Sequence, residues 1–145
     1  MASACGFNAS IDGVVNADSF SVQDQNPTAT RKHGENVLIA ISEQNDTTLR
    51  LVSLTLPAKS LLLNGLIELG EESSADSYVR VAEGEKTETT RSDGVKVINA
   101  LSPKFTLGGK GLLEIVRDEE DVFGTFEVVL LDGGYLEGSF TLPVD

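Results

Sequence analysis

The C-terminal part of the chain carries the feature that most restricts its fold, a set of three segments with the side-chain alternation of antiparallel strands. In the second segment Phe126, Val128 and Leu130 occupy every other position, and in the third Phe140 and Leu142 do so. A period of two is that of a strand with one buried face. The three predicted strands are Lys110–Arg117, Val122–Leu131 and Tyr135–Pro143.

The spacing of these strands also predicts how they connect and which side chains are buried. Asp132-Gly133-Gly134 separates the last two strands and supplies residues that accept a positive φ, as a short hairpin loop requires. We therefore expect the five apolar residues named above to face the core. Their neighbours Glu127, Glu137 and Thr141 are expected to face water.

Turn-forming residues recur along the rest of the chain at intervals of about eight to twelve residues, which is typical of all-β proteins. The sequence thus predicts an antiparallel β-sandwich or a flattened β-barrel of about 8–10 strands. The remaining predicted strands are Gly6–Val15, Asp18–Gln23, Asn36–Ser42, Thr48–Leu56, Gly65–Leu69, Ser77–Ala82 and Val95–Leu101.

Between the predicted strands, four segments carry more specific expectations. The most polar one, Glu83–Ser92, fits an exposed hairpin arm and a mobile loop equally well. Gly108–Gly109 is predicted to be a turn that leads into a strand. Helix is expected to be limited to a single turn, near Thr28–His33 or Ala58–Leu63.

The length and charge of the chain limit its domain count and its partners. With 145 residues it fits one domain, and we expect residues 6–145 to form a single β-domain after an N-terminal tail of residues 1–5. The formal net charge of −12 disfavours nucleic acid and anionic membrane surfaces as partners. Nine acids and one base lie between Gly111 and Asp145. This acidic face is either a solvated surface or a surface for a cation or a basic partner.

Catalysis is not indicated. His33 is the only histidine, so any nucleophile–histidine relay would have to include it, and it lies in a charged, loop-like stretch. We expect a solvated loop histidine, no catalytic residue and no cofactor. A single cysteine and a single histidine also exclude the usual structural zinc sites.

One group of carboxylates is a candidate for cation binding. Four acids lie at the tip of a predicted hairpin and could offer oxygen ligands to Ca²⁺, which takes roughly six to eight of them. The run lacks the alternate spacing and the glycine of an EF-hand loop, so a solvated turn is the favoured interpretation. The acids are Asp118, Glu119, Glu120 and Asp121.

The N-terminal residues suggest a lipid anchor. Cys5 follows the small residues Ala2-Ser3-Ala4 and precedes Gly6, as at the cleavage site of a bacterial lipoprotein signal, although Ala2 stands where leucine is usual. Neither a basic nor an apolar signal region precedes it. The longest apolar run, Val37–Ile41, is too short for a transmembrane helix. Membrane contact is thus expected only through a lipid on Cys5, and the alternative is an incidental thiol.

Two patches resemble a family of small exported bacterial lipoproteins of uncharacterised function. Phe7–Ala17 is similar to their opening hairpin. In the closing strands of these proteins, two glycine–x–phenylalanine segments flank a glycine turn. The similar residues in this chain are Gly124–Val128, Asp132–Gly134 and Leu136–Phe140. The resemblance implies a location in the cell envelope and a β-sandwich or flattened barrel, without an activity.

Three functions are consistent with these observations. The first is a non-enzymatic envelope or secreted β-domain that binds another protein or has a structural role. The second is a β-barrel that holds a small apolar ligand, which requires small inward side chains at positions such as Ala40, Gly65 and Gly138. The third is a structural subunit of a phage or surface particle.

Overall fold

The computed structural model describes residues 8–31, 35–45, 47–62 and 64–143. Strands make up 73% of these residues, and the only helical segment among them is one turn of 3₁₀-helix at Ala58–Leu61. The predicted all-β fold is therefore confirmed. The ten described strands are β1 (Ala9–Val15), β2 (Asp18–Asp24), β3 (Thr28–Arg31), β4 (Asn36–Gln44), β5 (Thr48–Pro57), β6 (Gly65–Leu69), β7 (Tyr78–Thr90), β8 (Lys96–Arg117), β9 (Asp121–Leu130) and β10 (Tyr135–Pro143).

The strands form one antiparallel sheet that curls into a half-barrel. Its order is β2-β1-β10-β9-β8-β7-β5-β4-β3, and β6 pairs with the C-terminal part of β8 on the edge away from β9. The curl brings β2 towards β4, where the Ser42 N–H donates to the Asp24 carboxylate at 2.8 Å. Next to it, the Arg50 guanidinium lies 5.3 Å from the centre of the Phe20 ring. Side chains rather than a strand ladder thus connect these two parts of the sheet.

The core fills the inside of the curl with branched aliphatic and aromatic side chains from most of the strands. All five apolar residues predicted to be buried in β9 and β10 lie there, and Glu127 and Glu137 are exposed, as predicted. Thr141 is half-buried. The largest fully buried side chains are Phe140, Ile11, Ile39, Ile41, Leu54, Leu56, Leu113, Ile115, Leu136, Leu142, Val22 and Val52.

The two glycine–x–phenylalanine segments face each other across the β9–β10 pair. Gly124 is the cross-strand partner of Phe140, and Phe126 is the partner of Gly138. The Phe140 ring covers Gly124 so closely that a Cβ atom there would overlap with it. Each glycine therefore stands opposite a large buried ring, and the spacing of the segments follows from the strand register.

One carboxylate joins two hairpin turns at the same end of the sheet. The predicted turn after β9 is present, with Gly133 at a φ of 93°. Asn16 and Ala17 form the turn after β1 with φ angles of 52° and 66°. The Asp132 carboxylate accepts the N–H of Gly134 at 2.8 Å and that of Asn16 at 2.7 Å. The first and last described hairpins are thereby held together.

One prediction about local structure is wrong, and one of two alternatives for the helical turn is excluded. Gly108–Gly109 is not a turn, because β8 runs without interruption through it and through Pro103. Near Pro103 and Gly108, the pairing of β8 with its partner strands shifts in register. One shift lies between Glu83 and Glu85 of β7, and the other lies between Val128 and Leu130 of β9. Of the two alternatives for a single helical turn, Thr28–His33 is excluded over its described part, because Thr28–Arg31 is strand β3.

Two further predictions are resolved by the fold. The expected single turn near Ala58–Leu63 is present as the 3₁₀ turn. The polar stretch Glu83–Ser92 belongs to a hairpin arm, since β7 extends to Thr90 and β8 begins at Lys96. In the part of the chain that the structure describes, no helix has the length and apolar character needed to span a membrane.

Candidate docking surface

Three carboxylates stand side by side on the outer face of the sheet. Asp12 on β1 is the cross-strand partner of Glu137 on β10, and Glu137 is the partner of Glu127 on β9. All three are exposed. They are called the acidic row below. The next position in the same line is Leu112 on β8, which is the partner of Glu127.

The alternation of each strand places the acidic row outside. Ile11 is buried on β1, so the next residue, Asp12, points to the other face. By the same alternation, the buried Leu136 and Phe126 place Glu137 and Glu127 on that face. The antiparallel register then aligns the three outward positions. The row therefore results from three local patterns and two strand pairings together.

The charges of the row repel one another. Side chains directly opposite on antiparallel strands have Cβ atoms roughly 4.5–5.5 Å apart, and like charges at such positions are destabilising. Among the described residues there are four ion pairs, and none includes a member of the row. These pairs are Arg50–Glu83, Arg80–Glu72, Arg91–Asp93 and Lys96–Glu88.

Exposed apolar side chains lie on both sides of the row. Leu66 on β6 is 69% exposed, and Val129 and Tyr135 are each at least half exposed. Two open hollows in this face share Leu112, Glu127 and Glu137 among the residues that line them. Apolar patches rimmed by polar residues are typical of protein interaction sites. Lys110 lines one of these hollows together with Glu127 and Glu137, so one base lies near the row. The outer face thus combines negative charge that no described ion pair neutralises with apolar contact area.

The predicted carboxylate turn lies at the tip of the β8–β9 hairpin. It is closed by a hydrogen bond from the Asp118 N–H to the Asp121 carbonyl at 2.9 Å. The Asp118 carboxylate accepts the N–H of Glu119. Within the described ranges, no group of three or more histidine, cysteine, aspartate or glutamate side chains is arranged to hold a metal ion. The solvated turn therefore stays the favoured prediction, and cation binding stays its untested alternative.

The other candidate residues are not gathered into a site. Cys5 and His33 lie outside the described residues. Two of the three small residues that an apolar-ligand barrel would require inside do not point inward, because Ala40 alternates with the buried Ile39 and Ile41 and Gly65 is exposed. At the third position, Gly138, a Cβ atom would meet the Ser10 carbonyl oxygen at 2.7 Å, so no cavity opens there.

Sequence reasoning placed Glu127 and Glu137 outside but did not predict the acidic row. The row depends on the pairing of β1 with β10, which joins segments more than a hundred residues apart and leaves no local signal in the sequence. No family model, curated protein or solved structure matches this chain.

Proposed function

We propose that the protein is a non-enzymatic domain of the bacterial cell envelope that binds a partner protein through the outer face of β1, β10, β9, β8 and β6. The observation that carries the proposal is the acidic row with its apolar flanks. A partner that fits it presents lysine or arginine side chains together with apolar ones, because only such a surface compensates the row and covers the flanks.

The energetic cost of the row supports a functional role. Three like charges in register lower the stability of the fold, and any one of them could be replaced by a neutral side chain at an exposed position. Residues that reduce stability on an otherwise well-packed sheet are typical of binding surfaces. A basic partner would turn this cost into binding free energy.

The envelope location is supported by Cys5 and its small neighbours and by the resemblance to exported lipoproteins. Expression of the full-length gene in a bacterium with labelled palmitate tests it. We expect the label on the wild-type protein and not on a Cys5→Ser variant. Equal labelling of the two proteins, or none of the wild type, would contradict lipidation of Cys5.

Binding by the outer face can be tested with a synthetic peptide of about ten alternating lysine and leucine residues, which in an extended conformation has a basic face and an apolar face. The row variant is Asp12→Asn/Glu127→Gln/Glu137→Gln. Its matched control removes the same number of charges from the β8–β9 tip, as Asp118→Asn/Glu119→Gln/Glu120→Gln. Fluorescence anisotropy of the labelled peptide gives the dissociation constant Kd for each protein.

The two variants separate a local site from general attraction. We expect the row variant to raise Kd at least ~10-fold, which corresponds to about 1.4 kcal/mol, and the tip variant to change it little. Equal weakening by both variants would mean that only the net charge of the protein attracts the peptide, and the outer face would lose its proposed role.

A further inference from the structure

The arm formed by β7 and β8 extends beyond the rest of the sheet. β5 pairs with β7 as far as Glu85, and the Lys86 N–H donates to the Thr47 carbonyl at 2.8 Å. From Thr87 to Thr90 the only described partner of β7 is β8. No residue between 83 and 105 is buried. A two-stranded ribbon exposed on both faces is marginally stable in water, and a further strand would stabilise it.

The outer edge of β8 is available for such a strand. β9 covers this edge only up to Gly108, with one more hydrogen bond from the Leu131 N–H to the Leu107 carbonyl at 2.9 Å. Among the described residues, none pairs with the edge between Lys96 and Thr106. An uncovered strand edge is a ready template for pairing with another chain.

Backbone direction identifies which groups the edge offers. The Arg91 N–H donates to the Val95 carbonyl at 2.8 Å, so this carbonyl points towards β7. Because the pattern alternates along an antiparallel pair, the N–H and C=O groups of Ile98 and Ala100 point to the uncovered edge. Both residues can therefore pair with another strand without loss of any bond to β7.

The side chains of this segment favour a second copy as the partner. Val97, Ile98, Ala100 and Leu101 are apolar and lie symmetrically about Asn99. The stretch from Gly94 to Leu113 also contains three lysines and no acid, although the chain as a whole carries −12. Electrostatic repulsion between two copies is therefore weakest where these strands would meet.

We propose that β8 pairs antiparallel with β8 of a second copy across a twofold axis at Asn99. In this register Val97 lies opposite Leu101 of the other copy, and Ile98 lies opposite Ala100. The backbone groups of Ile98 and Ala100 then form the hydrogen-bonded pair, and Asn99 meets its own counterpart. Lys96 lies opposite Ser102, so no like charges face each other directly.

This interface is separate from the acidic row and does not depend on it. The two arms together make a four-stranded sheet. The outer face of each copy stays free to bind the basic partner protein proposed above. A single strand pair buries less than the roughly 1,200 Å² of a standard interface, so we expect a dimer that dissociates in the micromolar range or above.

Disulfide trapping tests the register directly. In a Cys5→Ser background, Asn99→Cys places two thiols opposite each other at a non-hydrogen-bonded pair, where the Cα atoms are about 4.5 Å apart. Ile98→Cys is the matched control, because its counterpart lies two residues away along the other strand. We expect Asn99→Cys to form a covalent dimer under mild oxidation at least ~10-fold faster than Ile98→Cys.

Sedimentation velocity over a range of concentrations tests the dimer itself without any cysteine. We expect Asn99→Asp to weaken the dimer at least ~10-fold, because it puts like charges opposite each other, and Thr89→Asp on β7 to have little effect. The proposal is overturned if the wild type stays monomeric at about 1 mM, if assembly grows beyond a dimer, or if both cysteine variants cross-link at the same rate.

Discussion

Replacement of Gly124 by alanine should destabilise the protein although it adds only one methyl group. The ring of Phe140, which is 2% exposed, occupies the space where the new Cβ atom would lie. The ring is enclosed by the core, so it can move only by displacing its neighbours. Such overpacking costs about 1–3 kcal/mol.

This magnitude is large enough to measure. A chain of 145 residues is expected to have a free energy of unfolding of about 7–20 kcal/mol. A loss of about 2 kcal/mol would lower the melting temperature by roughly 4–8 °C. Urea denaturation followed by circular dichroism should show a lower midpoint with an unchanged slope, because the surface exposed on unfolding is the same.

Gly65→Ala is the matched control, since no atom lies within 4 Å of a Cβ at that position. We expect it to be neutral or to stabilise the protein by up to about 1 kcal/mol, through the lower entropy of the unfolded chain. Adding Phe140→Leu to Gly124→Ala should cost less than the sum of the two single changes, because the smaller side chain removes the overlap. Equal effects of the two glycine substitutions, or strict additivity in the double variant, would refute this packing argument.

Three further predictions concern the core, the acidic row and the carboxylate turn. Phe126→Ala should lower the free energy of unfolding by about 3–5 kcal/mol. Glu127→Ala should not lower it and should raise it by no more than about 0.5 kcal/mol, because it removes one repulsion with Glu137; equal losses would show that the strand register is wrong. Glu137→Gln should raise the free energy of unfolding by about 1 kcal/mol at low salt and less at high salt, because it removes two repulsions of about 0.5 kcal/mol each; a salt-independent gain would exclude this cause. Ca²⁺ should raise the melting temperature no more than NaCl at equal ionic strength, whereas a Ca²⁺-specific rise that disappears in Asp118→Asn/Asp121→Asn would establish a cation site.

Local patterns predicted the class of fold because alternation in β9 and β10 is a property of neighbouring residues. The same local patterns failed to predict the length of β8, because this strand contains residues that usually end a strand. Pro103 and Gly108 both lie inside β8, next to irregularities in its pairing, and Ser102 adopts a φ of 48° there. Such a bulge depends on the partner strands, so it cannot be read from the segment alone.

The candidate surface was less predictable than the fold for the same reason. Each carboxylate of the acidic row could be assigned to the outside from its own strand. Their proximity, however, follows from the position of β1 beside β10, and the order of strands in a sheet is a long-range property of the chain. The contact between Gly124 and the Phe140 ring likewise depends on the strand register. The repeated glycine–x–phenylalanine motif is visible in the sequence, but the packing that explains it is not.

The pairing of β1 with β10 also determines when this chain can fold. Ala9 pairs with Phe140 and Val14 pairs with Tyr135, and the bond from Asn16 to Asp132 fastens the same end. The β1–β2 hairpin therefore cannot join the sheet before β10 is present, and until then it is an isolated pair of strands with little stability of its own. Contacts over such sequence distances make folding slow. The sheet is therefore complete only after β10 has been synthesised.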